Sequence, residues 1–443
     1  MRSAEFDFVE FINYHASLNI TNIDESERLR RLTFLPPLLQ LMGSRRPITL
    51  LDNCLNGLGY HMGTFAAAIL DAAPDAEVLG HRSCDIDHPR ILPCFSRSLF
   101  APEARFPGMT GGLLERIFGR LDWAKTIRSC NRTYHEDLDA QPAERWREGG
   151  ILLMENADIR TALGAIQWSK ARGPDHSLVL HFVNPPARAL GFLLRLHPAY
   201  RLRTPDTRHI HLAAENPQMA ETCSRQLKLP CQPLIFPLPK RDIPPASAPL
   251  PGQPLVLSLP GGPRQEKGFD LAIDAISLLR PELKADKIQL LVQEHAHDVA
   301  EEGLADSWQL LEQLQAEFPR AIHILPAKLP EPEYVGLLRD SHLVLTPYRR
   351  SAYAHRGSWV PIEAIAAGRP VLITEGIQMA SEVHKAGAGL FVEDGSPQAI
   401  ADAIQDFLEA PGPQLDQARQ AARQWNQDHG PDAFLDRLEK ICE

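Results

Sequence analysis

Two successions of short apolar runs and amphipathic segments, separated by a proline-dense stretch, constrain the fold of this chain most strongly. The apolar runs show no polar alternation, which is typical of strands that are covered on both faces. Amphipathic helices between such strands predict parallel sheets with crossover connections. The sequence therefore predicts an α/β protein with two Rossmann-like, doubly wound domains.

The first succession begins with the strand pattern PITLLDN, which leads through NGLGYH into the helical pattern MGTFAAAILDAA. Further predicted strands are AEVLGHR, ILLMEN, SLVLHFVN, RHIHLAAEN and CQPLIFPLP, with helices at DIRTALGAIQWSKAR and PQMAETCSRQLKL. The second succession predicts strands PLVLSLPGG, IQLLVQE, AIHILPA, HLVLTPY and RPVLIT, with helices FDLAIDAISLLR, EPEYVGLLRD and PIEAIAAG. Three more helical patterns end the chain and are expected to pack outside the second sheet.

The stretch PLPKRDIPPASAPLPGQP marks the predicted domain linker, since proline fits neither a helix interior nor an inner strand. A chain of 443 residues also exceeds what one hydrophobic core usually organises. The predicted parts are an N-terminal Rossmann-like domain at 1–236, the linker at 237–252 and a second Rossmann-like domain at 253–425. A C-terminal helix at 426–443 is expected to be able to pack back toward the first domain.

Composition and charge argue against several classes of protein. A net charge of −10 disfavours nucleic-acid binding, which needs a clustered basic surface. The start of the sequence has no basic head followed by an apolar run, and no run reaches membrane-spanning length, so we expect a cytoplasmic protein. The seven cysteines form no C-x-x-C pair, which predicts neither a disulfide framework nor a zinc site.

The segment SLPGGPRQEKGFD is the first candidate binding loop, because a predicted strand ends there and a helix follows. Glycines let backbone amides approach an oxygen-rich ligand, and a helix N-terminus with two cations favours a diphosphate. The loop lacks the G-K-[ST] ending of a P-loop. A glycine-rich turn with solvated basic side chains is the alternative. The candidate residues are Gly261, Gly262, Arg264, Lys267 and Gly268.

A second polar loop follows the predicted strand HLVLTPY and leads into the helix that contains Glu363. In open α/β sheets ligands collect at the carboxyl ends of strands, where both loops lie. Arg356 suits a phosphate, and a buried Glu363 needs either a ribose diol or an internal salt bridge as partner. A basic surface loop with a capping serine is the alternative. The candidates in this loop are Tyr353, His355, Arg356, Gly357 and Ser358.

With these two loops the sequence resembles the retaining GT-B glycosyltransferases. In that family a Lys-Gly loop grips the donor diphosphate, and a glutamate before A-x-A-x-G-x-P-V binds the nucleotide ribose. The matching residues are Lys267, Gly268 and Glu363, followed by Ala364, Ala366, Gly368, Pro370 and Val371. Two positions depart from the pattern: His355 stands where a glutamate is expected, and Gly262 stands where an arginine is expected, with Arg264 nearby.

The resemblance implies two domains that face each other across a cleft and a hexosyltransferase-like reaction from a nucleoside-diphosphate sugar. It implies retention of configuration and electrostatic catalysis without a required metal or a cofactor. Lys267 with Arg264 or Arg356 is expected to neutralise the leaving group, and His61 is a further catalytic candidate beside Lys267 and Arg264. The acceptor is expected to be a saccharide, a lipid-linked molecule or a protein. Two rival hypotheses are a catalytically degenerate binding or scaffold protein and a nucleotide-sugar 2-epimerase.

Acceptor-side candidates in the first half are Gly57, Gly59, His61 and His181, although a histidine is more often packed or solvated than catalytic. The spacing of Asp85, Asp87, His88, His295 and His297 fits no standard metal-ligand set, so we expect no metal site. The segment GGLLERIFGRLDWAKTIRSCNR places basic residues at helical spacing, and it predicts either a peripheral contact with an anionic membrane or an ordinary surface helix. Its basic residues are Arg116, Arg120, Lys125, Arg128 and Arg132.

Overall fold

A computed structural model describes the chain at residues 45–55, 61–99, 113–239, 241, 243–244, 246–294, 303–327, 329–354 and 356–443. At residues 61–62 and 113–121 the description is limited to the backbone. The chain divides into two compact units, residues 1–46 and residues 47–443. Every element named below belongs to the second unit.

The first sheet is built from short parallel strands, which are mostly buried except for the exposed edge strand Gln232–Pro233. Its strands are β1 (Ile48–Leu51), β2 (Glu77–His81), β3 (Ile91–Phe95), β4 (Ile151–Met154), β5 (Ser177–Phe182), β6 (Ile210–Ala214) and β7 (Gln232–Pro233). They lie in the order β3-β2-β1-β4-β5-β6-β7. Since β1 has β2 on one side and β4 on the other, the direction of strand progression reverses between β1 and β4.

The second sheet repeats this arrangement with its own parallel strands. They are β8 (Leu255–Leu259), β9 (Ile288–Gln293), β10 (Ile322–Leu325), β11 (Leu343–Thr346), β12 (Val371–Thr374) and β13 (Gly389–Val392). Their order is β10-β9-β8-β11-β12-β13, which reverses between β8 and β11. Each reversal opens a crevice at the carboxyl ends of the strands, where ligands bind in doubly wound sheets. We call the two positions the first and the second switch point.

Helices cover both faces of each sheet, as continuous apolar strands require. Those of the first half are α1 (His61–Ala72), α2 (Leu113–Asp139), α3 (Ala162–Arg172), α4 (Arg188–Leu196) and α5 (Pro217–Leu227). The second half has α6 (Phe269–Leu278), α7 (Arg280–Lys284), α8 (Ala305–Glu317), α9 (Glu331–Asp340), α10 (Arg350–Tyr353), α11 (Trp359–Ala366) and α12 (Gln378–Ala386). The chain ends with α13 (Pro397–Glu409), α14 (Pro411–His429) and α15 (Pro431–Ile441). The predicted α/β class with two doubly wound sheets is confirmed.

Local details differ from the sequence prediction. The pattern CQPLIFPLP predicts a full strand, but only the two residues of β7 pair with β6. Proline lacks the N–H that a ladder needs, so the repeated prolines end the strand early. The sequence reading also missed β3, α4, α8, α12 and β13. In β3 a proline interrupts the apolar run, which weakens the strand pattern.

The C-terminal helices do not all pack beside the second sheet. On α15, the ring of Phe434 lies edge-on to Phe65 of α1, with centroids 5.6 Å apart. One apolar cluster therefore includes residues of both sheets and of α15. The described residues of 237–252 form neither helix nor strand. The domain limits themselves stay a prediction. Within the described part of the chain, no helix is long and apolar enough to cross a membrane.

Candidate functional site

The glycine-rich loop after β8 depends on backbone conformations that favour glycine. Gly261 and Gly268 have φ values of +83° and +67°, in the left-handed region. A side chain at Gly268 would overlap the carbonyl oxygen of Pro347, in the loop after β11. The Gly261 amide donates to Gln293 Oε1 over 2.8 Å. Gly268 therefore lets the two loops of the second switch point pack directly against each other.

Three cations of the predicted donor site lie together around one carboxylate. Glu266 Oε1 is 3.6 Å from Arg264 Nη1 and 3.3 Å from Arg356 Nη1. Burial is the main reason why the pKa of Lys267 falls to about 8, repulsion from Arg264 adds to this, and Glu266 opposes it. A side chain at Gly261 would come within 2.7 Å of Lys267 Nζ. Three cations against one carboxylate leave a local excess of positive charge that suits a further anion. We call Arg264, Lys267 and Arg356 the cation cluster.

The loop after β11 contributes aromatic and hydroxyl groups to the same place. The Arg356 guanidinium lies over the ring of Tyr353, 5.2 Å from its centroid. The Ser358 hydroxyl donates to the buried Tyr348 hydroxyl over 3.3 Å. Ser358 precedes α11 but makes no side-chain capping bond, contrary to the alternative of a capping serine. His355 lies outside the described residues, and Gly262 is half-buried in the facing loop.

A carboxyl group that follows a strand of the first sheet accepts a hydrogen bond from one of the predicted anion-binding amides. Glu215, directly after β6, accepts from the Gly357 N–H over 2.8 Å. Glu215 is 4% exposed, and burial raises its pKa to about 7, while the Gly357 amide and Arg356 oppose the rise. A side chain at Gly357 would come within 2.9 Å of Glu215 Oε1. The two halves of the chain therefore touch through a group that changes charge near neutral pH.

Both oxygens of Glu363, the predicted ribose ligand, already have partners. Arg241 Nη1 is 2.6 Å from Oε1, and the Tyr334 hydroxyl donates to Oε2 over 2.7 Å. Burial raises the pKa of Glu363, and the charge of Arg241 opposes the rise. Arg241 lies in the predicted linker and also contacts Glu331 Oε1 at 2.8 Å. The structure thus contains the internal salt bridge that the sequence left open as one partner of this carboxylate.

The first switch point carries carboxyl groups that the sequence reading missed. Asp52 directly follows β1 and Glu155 directly follows β4, and the strand register places Leu51 beside Met154. Both side chains are buried, at 0% and 3% exposure. Burial raises the pKa of Asp52 to about 7, and burial and the charge of Asp52 hold that of Glu155 well above its ordinary value. Both carboxyl groups therefore hold their protons to higher pH than exposed ones do.

A simple signal marks all three carboxyl groups in the sequence. Asp52, Glu155 and Glu215 are each the first acidic residue after an apolar run, in ITLLD, ILLME and HLAAE. Such residues lie at the carboxyl edge of a parallel sheet. Arg241 and Tyr334 offer no comparable signal, because neither belongs to a motif.

The acceptor-side candidates are not brought together in the described residues. Gly57 and Gly59 lie outside them, and for His61 only the backbone at the start of α1 is described. The sequence predicted that His181 faces a cleft, but the structure places it in the core. It is fully buried, Nε2 is 2.9 Å from the Leu234 carbonyl oxygen, and its ring packs against Phe236. Burial lowers the pKa of His181 to about 4, so its imidazole is neutral.

Metal ligands are not grouped in the described part of the chain, where no cluster of three or more His, Cys, Asp or Glu side chains could hold an ion. Asp85, Asp87 and His88 lie between β2 and β3, outside any helix or strand. His295 and His297 fall outside the described residues.

Comparison with known proteins identifies relatives of this arrangement. Residues 240–425 match the family model described as glycosyl transferases group 1. No curated protein matches the sequence. Among solved structures, a sucrose-phosphate synthase from Thermosynechococcus elongatus has a TM-score of 0.59 at 14% identity, covering 90% of this chain and 98% of that one. A glycosyltransferase from Rickettsia africae has a TM-score of 0.58 at 13% identity, with coverages of 90% and 98%. An Anabaena protein, HepE, solved with UDP, has a TM-score of 0.57 at 12% identity, with coverages of 89% and 98%.

Proposed function

We propose that this chain, whose residues 240–425 match the family of glycosyl transferases group 1, transfers a hexosyl unit from a nucleoside-diphosphate sugar to an acceptor hydroxyl. The cation cluster is the observation that carries the proposal. It lies at the second switch point, where a doubly wound sheet binds its ligand, and its three cations outnumber the two neighbouring carboxyl groups, Glu266 and Glu215. A nucleoside diphosphate supplies the missing negative charge.

Catalysis in this proposal is electrostatic. As the bond between the anomeric carbon and the diphosphate breaks, negative charge grows on the departing oxygen. Lys267, Arg264 and Arg356 stabilise that charge from fixed positions, which is more effective than reorganising water. Because side-chain cations neutralise the leaving group, we expect transfer without a required metal or cofactor. Retention of the anomeric configuration is expected from the family resemblance.

The ribose can bind Glu363 without breaking the existing salt bridge. A carboxylate has about four lone-pair positions, and Arg241 and Tyr334 use two of them in the described contacts. Two ribose hydroxyls would fill the others. Glu363 is 6% exposed, so this requires the side chains around it to move slightly apart.

Uracil is the nucleotide base we expect, because HepE was solved with UDP and with UDP-glucose. The acceptor remains open between a saccharide, a lipid-linked molecule and a protein. We expect the acceptor to bind on the other half of the chain, on the side of the first switch point.

Calorimetry of the full chain against UDP, GDP, ADP and dTDP tests the donor site. We expect UDP to bind, and Lys267→Ala to weaken it by about 10- to 100-fold, the range for losing one charge-assisted hydrogen bond. Lys287→Ala removes an exposed lysine of the same half and serves as the matched control. Equal binding by all three proteins would place the nucleotide elsewhere. Binding without turnover of any UDP-sugar would instead favour the degenerate binding protein.

One alternative reaction has a structural observation in its favour. A nucleotide-sugar 2-epimerase needs an acid and a base near the sugar, and Asp52 and Glu155 are two carboxyl groups with raised pKa values at one switch point. Product analysis after incubating UDP-sugars without an acceptor separates the two. An epimer formed without hydrolysis supports the epimerase, and hydrolysis alone supports the transferase.

A further inference from the structure

A groove of about 860 Å³ runs over the outer surface of the first half, between α2, α3 and α4. It lies on helices that cover the first sheet, and neither switch point contributes to its lining. Apolar side chains such as Ile127, Leu163 and Leu193 form part of it. The proposed sugar transfer makes no use of this surface.

Helix α4 presents large apolar side chains to solvent beside the groove. Phe192 and Leu196 are four positions apart, on the same helix face, and are 57% and 59% exposed. The opposite face of α4, with Leu190 and Leu194, is fully buried. Exposed apolar groups gathered on one face next to a groove are typical of a contact surface.

Positive charge surrounds these apolar groups. The nine residues of α4 include Arg188 and Arg195 and no acidic residue, and Arg128 of α2 lines the groove. Among the described residues none of these three arginines forms an ion pair. Other basic groups of the groove are partly neutralised, since Lys170 lies 3.3 Å from Asp206 and Arg132 lies 4.0 Å from Glu136. The surface is locally basic although the chain carries a net charge of −10.

We propose that this α2–α4 face docks on an anionic phospholipid bilayer, with Phe192 and Leu196 in the interfacial layer and Arg128, Arg188 and Arg195 on the headgroup phosphates. A short helix with an apolar strip flanked by arginines lies in the plane of a membrane interface. Each basic side chain near an anionic surface adds attraction that falls off within a Debye length. The docking surface gives the chain an orientation on the membrane that is independent of the donor site.

The sequence reading placed a possible membrane contact on α2, and the structure adds α4 to it. Arg116 and Arg120 of that prediction have side chains outside the description, and Lys125 lies 3.3 Å from Asp122. The apolar component thus comes from α4, which the sequence reading missed altogether.

Co-sedimentation of the full chain with vesicles tests the proposal. We expect binding to vesicles of equal parts phosphatidylcholine and phosphatidylglycerol, and at least about tenfold weaker binding to phosphatidylcholine alone. The double variant Phe192→Ser/Leu196→Ser should bind the anionic vesicles about tenfold or more weakly, since polar serine does not favour the apolar layer. Leu250→Ser/Leu278→Ser, at two other exposed leucines, is the matched control and should bind like the unaltered chain.

Three results would overturn the proposal. The first is no binding to either vesicle, and the second is equal loss in both double variants. The third is a sedimentation coefficient that falls in Phe192→Ser/Leu196→Ser without vesicles, which would make the face an interface between two copies of the chain. Circular dichroism and UDP binding check that both variants are folded, and neither pair belongs to the donor site.

Discussion

The two switch points of this molecule have the same topology and opposite charge. At the second, Lys267, Arg264 and Arg356 gather around the carboxylate of Glu266. At the first, Asp52 and Glu155 are buried with raised pKa values. Strand order therefore decides where a crevice forms, while the residues after each strand decide what the crevice can bind.

The two regions also differ in how far their charged groups are exposed to solvent. At the second switch point Arg264 and Arg356 are 42% and 44% exposed and contact Glu266, while burial lowers the pKa of Lys267 to about 8. The acidic pair of the first is almost fully desolvated, so it keeps a proton instead. Glu215 joins the regions, because its carboxyl group from the first sheet bonds to Gly357 beside the cation cluster.

The largest effect is expected from breaking the packing of the second switch point. Gly268→Ala puts a side chain into the Pro347 carbonyl oxygen at a φ of +67°. We expect the free energy of unfolding to fall by about 2–5 kcal/mol, from backbone strain plus overpacking, and UDP binding to be lost. Denaturant titration and calorimetry measure the two. Gly395→Ala, at φ +76° with open space around it, is the control and should cost only about 1–2 kcal/mol.

The acidic switch point is expected to make stability depend on pH. The pKa of Asp52 rises from 3.8 to about 7 on folding, so the folded state binds more protons between these values. Its contribution is fully present below about pH 4 and is lost as the pH rises through about 7, by up to roughly 4 kcal/mol. This contribution should therefore fall between about pH 4 and pH 7, whereas buried neutral histidines such as His181, with a pKa lowered to about 4, act in the opposite direction.

Asp52→Asn tests this expectation, because it removes one titrating carboxyl group from the pair. In denaturant titrations at several pH values, the free energy of unfolding should decrease less with rising pH in the variant than in the unaltered chain. Asp75→Asn changes an exposed aspartate of the same half and should leave the slope unaltered. If the free energy of unfolding changed with pH in the same way in all three proteins, Asp52 would not hold the extra proton.

A smaller effect is expected at the contact that joins the two regions. Ionised Glu215 repels a diphosphate at the cation cluster, whereas Glu215→Gln keeps an oxygen for the Gly357 amide and carries no charge. At pH values above about 7 the variant should bind UDP roughly tenfold more tightly than the unaltered chain. Below that pH the two should converge. Titration of Lys267 affects both proteins alike, so the ratio of their affinities isolates Glu215. A ratio that does not vary with pH would contradict the prediction.

The smallest effect is expected from a charge-conserving substitution within the cation cluster. Arg356→Lys keeps the charge but loses the planar fork that stacks on Tyr353 and can bind a phosphate with two hydrogen bonds. We expect UDP to bind about 3- to 10-fold more weakly. Arg320→Lys, at an exposed arginine of the same half, is the control. If Arg356→Lys weakened UDP binding as much as Lys267→Ala does, the geometry of the guanidinium would matter as much as its charge.

Much of the donor side was predictable from local sequence. The loop after β8 combines a strand end, left-handed glycines and cations within a few residues, so its structure and its chemistry are encoded together. The loop after β11 follows the same logic, and the alternation of apolar and amphipathic segments gave most of the strands.

The first half was harder to predict because its features lie in single residues. Asp52 and Glu155 are 103 positions apart, and neither stands in a motif. His181 ends an apolar strand in a way that suggested an exposed site, but the helical layer and Phe236 bury it. Burial is a property of the assembled layers, so a strand pattern predicts it only on average.

By itself, the sequence determined the α/β class, the two doubly wound sheets and the cationic character of the second switch point. These follow from periodicity, glycine conformation and charges that are close along the chain. The tertiary structure decided that Glu215 meets Gly357, that Arg241 and Tyr334 hold Glu363, and that Asp52 and Glu155 are buried with raised pKa values. Those contacts join residues far apart in sequence, and their energies depend on how completely the packed layers exclude water.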